Sequence, residues 1–66
     1  MDWNELKRKR RAGTHADDVN MAKTEIIETA LGTPFLIGDK RIKAWVEADA
    51  ALALCDSFEE AVSRLR

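Results

Sequence analysis

Apolar and polar positions alternate along residues 14–31 with the period of a helix. Val19, Ala22, Ile26 and Ala30 form a stripe that Ile27 and Leu31 widen, while Asp18, Lys23, Glu25 and Glu28 fall mostly outside it. Thr14-His15-Ala16-Asp17 reads as a capping box at its start: the Thr14 hydroxyl accepts from a first-turn amide and Asp17 reaches back to the cap. Gly32 supplies a left-handed C-terminal cap, and Pro34 blocks resumption of the helix. A second stripe runs to the end of the chain. Ala51, Leu54, Cys55, Phe58, Ala61, Val62 and Leu65 recur at alternating spacings of three and four, with Asp56, Ser57, Glu59, Glu60, Ser63 and Arg64 outside them. Asp49 is the predicted N-cap of this last helix.

Between the two stripes the period changes. Phe35-Leu36-Ile37, a Gly38-Asp39 turn and Arg41–Glu47 predict a β-hairpin. In its second strand Ile42, Ala44 and Val46 alternate with Arg41, Lys43 and Trp45, which puts two cations and an indole together on the outer face. The competing pattern is one helix running from Asp39 through the alanines at 44, 48, 50, 51 and 53. It places Asp49 inside the stripe of Ile42, Trp45, Val46 and Leu52, and Leu54 among charges, so the hairpin is preferred.

Asp2 to Ala12 holds good helix formers up to Gly13, with acids near the start and bases toward the end, as the helix dipole favours. Trp3 and Leu6 are its only large apolar side chains, and they share a face by which it can dock. The predicted organisation is a basic N-terminal helix or arm (residues 1–13) followed by a helix–hairpin–helix body (residues 14–66). The fold class is a small single α+β domain with its helices on one face of the hairpin. This order of elements resembles that of small phage head–tail joining proteins, although no sequence motif accompanies the resemblance.

Composition narrows the function. At 66 residues, 45% hydrophobic and 35% charged, the chain has room for one domain and little for a core that also carries a deep pocket. Cys55 is the only cysteine, so no intramolecular disulfide is available, and a reducing cytoplasm is the expected setting. No apolar stretch of signal-peptide or transmembrane length follows Met1, which predicts neither secretion nor a membrane span. The net charge of −1 hides a split: residues 1–16 carry five bases against two acids, and residues 17–66 six bases against ten acids. A separate contact role for the basic segment follows.

Candidate chemistry is sparse. A Cys55/His15 dyad competes with a packed cysteine and a solvated histidine, and the second reading is favoured. No catalytic residue, metal ligand set, phosphate loop or cofactor site is expected. The expected function is that of a non-enzymatic protein-binding module, a regulator or inhibitor of phage-accessory type, acting as a monomer or homodimer on a protein partner. It would dock through the outer-face patch of Arg41, Lys43 and Trp45, or through an acidic helical surface of Glu25, Glu28, Asp56, Glu59 and Glu60. The alternatives are a nucleic-acid binder using Lys7, Arg8, Lys9, Arg10 and Arg11, or a structural subunit of a larger phage-like assembly.

Overall fold

A computed structural model of the chain describes residues 2–13 and 17–66. Four helices, α1 (Trp3–Arg11), α2 (Asp17–Leu31), α3 (Asp39–Leu54) and α4 (Phe58–Leu65), make up its regular structure, and no strand occurs among the described residues. The predicted α+β fold with a hairpin is therefore corrected to a four-helix bundle. With the hairpin goes the likeness to phage head–tail joining proteins, which rested on element order alone.

The correction turns on what α3 buries. Ala44, Ala48, Ala51 and Leu52 face the core, whereas Ile42, Val46 and Leu54 stand in water. The hairpin assignment assumed that the β-branched residues point inward. Of the expected inward set Ile42, Ala44 and Val46 only Ala44 is buried, because alanine faces let helices approach closely, and Ala22 of α2 and Ala61 of α4 are buried in the same way. The Gly38-Asp39 pair is not a hairpin turn. Gly38 adopts φ +64° as the N-cap of α3, and its carbonyl accepts from the amides of Arg41 and Ile42 at 3.1 and 3.4 Å. Asp49, which argued against a continuous helix, lies at the edge of the buried face, where two cations satisfy it.

The last helical stripe is divided rather than continuous. Cys55 leaves the helix with extended backbone, and Ser57, not Asp49, caps α4: its hydroxyl accepts from the Glu60 amide at 3.2 Å. Glu60 in turn accepts from the Asp56 amide at 3.1 Å, so the cap is closed from both sides. Ala61 and Val62 are buried, Phe58 and Leu65 partly so, and Leu54 is exposed. At the end of α2, Gly32 has φ +84° and donates to the Glu28 carbonyl at 2.8 Å, which matches the sequence reading. The Thr14–Asp17 capping box rests on residues 14–16, outside the described residues.

Helices α2, α3 and α4 pack mutually, and α1 lies across α2 and α3. The main core joins Trp3 and Leu6 to Val19, Ala22, Ile26, Ala51, Leu52 and Ala61. A smaller one gathers Leu36, Trp45 and Leu65 around Ile27, Ala44 and Ala48. The Cα radius of gyration is 10.9 Å, close to the ~11 Å expected of a fully folded chain of this length.

Candidate docking surface

The basic run of α1 is bound internally. Arg10 donates to both Asp49 carboxylate oxygens, at 2.9 and 2.7 Å, and Lys9 to Asp18 at 2.6 Å. Lys7 donates to the Cys55 carbonyl at 2.9 Å and lies 3.8 Å from the Asp56 carboxylate, while Arg8 pairs with Glu5 one turn away. Only Arg11 of the run has no ion pair among the described residues. The Arg10 guanidinium, with Lys23 at 2.9 Å, holds the Asp49 carboxyl well below the usual carboxylate range. Lys9 lowers Asp18 by the same charge-assisted hydrogen bonding.

These contacts serve the docking of α1. The Trp3 indole N–H donates to the Cys55 carbonyl at 2.9 Å, and its ring meets Phe58 edge-on with centroids 6.5 Å apart. The carbonyl that ends α3 thus receives two donors from α1.

The patch of Arg41, Lys43 and Trp45 is not assembled as a strand face would have it. On α3, Arg41 and Trp45 lie one turn apart and share a small crevice with Ile27, Pro34 and Leu36. Lys43 points instead into a groove on the other flank, beside Lys40, Glu47 and Arg64. The acidic residues are divided as well. Glu25 and Glu28 are exposed on α2, Glu25 near Asp18 and the exposed Met21. Asp56, Glu59 and Glu60 flank the cap of α4, with Glu60 engaged in it. The Cys55/His15 pair, disfavoured as a dyad in the sequence, cannot be placed because His15 lies outside the described residues. Among the described residues no group of three His, Cys, Asp or Glu side chains converges as a metal site would require.

What sequence reasoning missed lies between α2 and the middle of α3. Phe35 is 88% exposed, Ile37 86%, Ile42 65% and Val46 61%, all within twelve residues. Ile37 and Ile42 occupy the positions before the N-cap and four after it, where apolar residues often close a staple; here both remain in water. Ile42 and Val46 form an outward stripe one turn apart, back to back with the buried alanines.

Cations surround this stripe. Lys40, Arg41 and Lys43 are exposed and have no ion-pair partner among the described residues, in contrast to the engaged bases of α1. The signal was present in the sequence: read as one helix, residues 39–54 are apolar on two opposite faces, and the structure buries only one of them. No helix among the described residues is long and apolar enough to cross a membrane. No known protein family, curated protein or solved structure matches the chain.

Proposed function

We propose that the chain is a non-enzymatic binding module that engages another protein through the surface formed by residues 35–46. The observation that carries this reading is the group of four large apolar side chains held in water within a segment whose three cations have no ion-pair partner among the described residues. Scattered exposed apolar residues are ordinary, whereas contiguous exposed apolar surface marks interaction sites; Ile42 and Val46 share one face of α3, and Phe35 and Ile37 lead into it. Arginine and aromatic side chains are also enriched where binding energy concentrates, and Phe35 and Arg41 supply both here.

Two features support this surface over the basic run of α1. Residues Lys7 to Arg10 already have intramolecular partners, which a competing phosphate backbone would have to displace. Lys40, Arg41 and Lys43, by contrast, have no ion-pair partner among the described residues.

A photo-crosslinking side chain in place of Ile37 tests the proposal in native lysate, with the same group at Glu59 as control. A discrete protein adduct from position 37, suppressed by excess unlabelled chain, is the expected result. Adducts indistinguishable between the two positions would contradict it.

A further inference from the structure

Resting on the reading that this chain engages another protein, we infer that the partner presents an acidic amphipathic helix, which seats in the groove between α3 and the end of α4, beside the stripe of Ile42 and Val46 rather than on it. The groove holds about 360 Å³ and its surface is mostly apolar, the kind of concavity that takes the apolar face of a helix. Leu36, Ala44 and Leu65 form its apolar floor, and Lys40, Lys43 and Arg64 stand on its rim.

The charge of that rim selects the occupant. Glu47 is the one acid lining the groove, and it lies 3.8 Å from Arg64, leaving Lys40 and Lys43 uncompensated. A helix with leucines at positions i, i+3, i+4 and i+7 would lay an apolar stripe on the floor. Glutamates flanking that stripe would meet the two lysines, giving both register and orientation.

Other occupants fit less well. A second copy of this chain related by a two-fold axis would set the same net-positive rim against itself, a like-charge arrangement that opposes association. An anionic bilayer offers the right charge but is flat and cannot fill a concave groove. The ten acids against six bases in residues 17–66 would moreover oppose approach to it.

Titration of the full, nitrogen-15-labelled chain, followed by amide chemical shifts, tests the inference. The probes are a synthetic four-turn helix with the leucine stripe and flanking glutamates, the same helix with lysines for glutamates, and phosphatidylserine-containing vesicles. The glutamate peptide should shift the amides of Leu36, Lys40, Ala44 and Leu65. Its dissociation constant should rise by about tenfold or more in the Lys40→Glu/Lys43→Glu variant, and more modestly with Ala at both sites. The lysine peptide should bind only the charge-reversed variant. Equal binding of both peptides to the unaltered chain, shifts mapping elsewhere, or tighter binding of the vesicles would each overturn the acidic helix. A lysate adduct from position 37 that survives Lys40→Glu/Lys43→Glu would overturn it too, while leaving the protein-binding reading intact.

Discussion

Asp49 accepts two parallel hydrogen bonds from Arg10, at 2.9 and 2.7 Å, in the bidentate geometry that favours arginine over lysine. Lys23 approaches the same carboxylate at 2.9 Å. One side chain of α3 thereby ties down both α1 and α2. Asp49→Asn should lower stability by about 1–2 kcal/mol, a figure reduced because the carboxylate remains about one-third exposed. Chemical denaturation measures it, and a loss below a few tenths of a kcal/mol would mean that the pairing contributes nothing net.

The same carboxylate sets an acid response. Its pKa is depressed in the folded chain relative to about 3.9 when unfolded, so its contribution is fully present above that value. As the pH falls further, toward the folded pKa, the contribution is lost. Denaturation midpoints taken from pH 6 down to pH 2 should therefore fall less steeply in Asp49→Asn than in the unaltered chain. Parallel curves would assign the acid loss to other groups.

Trp3 reaches across the bundle to the carbonyl of Cys55, and its indole is buried among α2 and α3 side chains. Trp3→Phe keeps an aromatic ring beside Phe58 but removes the donor, and should cost about 1–2 kcal/mol; Trp3→Ala should cost about 3–5 kcal/mol. In a chain this small the larger figure approaches the whole stability. Circular dichroism melts distinguish the two substitutions, and equal effects would remove the hydrogen bond from the account.

Ile42 and Val46 stand in water where the hairpin expectation put them in the core, and point substitutions read this directly. Ala48→Leu should destabilise by about 1–3 kcal/mol, because a fully buried alanine leaves no room for three more carbons. Ile42→Ser should change stability by less than about 0.5 kcal/mol, since the side chain is exposed and serine matches isoleucine in helix propensity. A hairpin with Ile42 inward would show a large loss at that site.

Much of the bundle is legible in the sequence. Trp3 and Leu6 share the docking face, Val19, Ala22, Ile26 and Ile27 the core face of α2, and Gly32 its stop, because spacing and backbone preference act locally there. Residues 35–54 were not legible, since they carry two apolar faces whose local signals are nearly equal. Ile42 and Val46 favour a strand, the alanines a helix, and only tertiary packing decides. Asp49 misled for a related reason: the cations that satisfy it come from α1 and α2, 39 and 26 positions earlier. The candidate surface was hidden by the same error. The chemistry of Arg41, Lys43 and Trp45 stands out in the sequence, whereas the alternation around Ile42 and Val46 points these two toward the core.

The central claim is that the outward apolar face of α3 is surplus to folding and is part of the surface that a partner grips. Its most direct test is the yield of the position-37 adduct in an Ile42→Ser/Val46→Ser background. The melting temperature should stay within about 4 °C of the unaltered chain, while the adduct falls by about tenfold or more as apolar anchors are lost. An undiminished adduct from a folded variant would contradict the claim, as would a melting temperature lowered as far as core substitutions lower it.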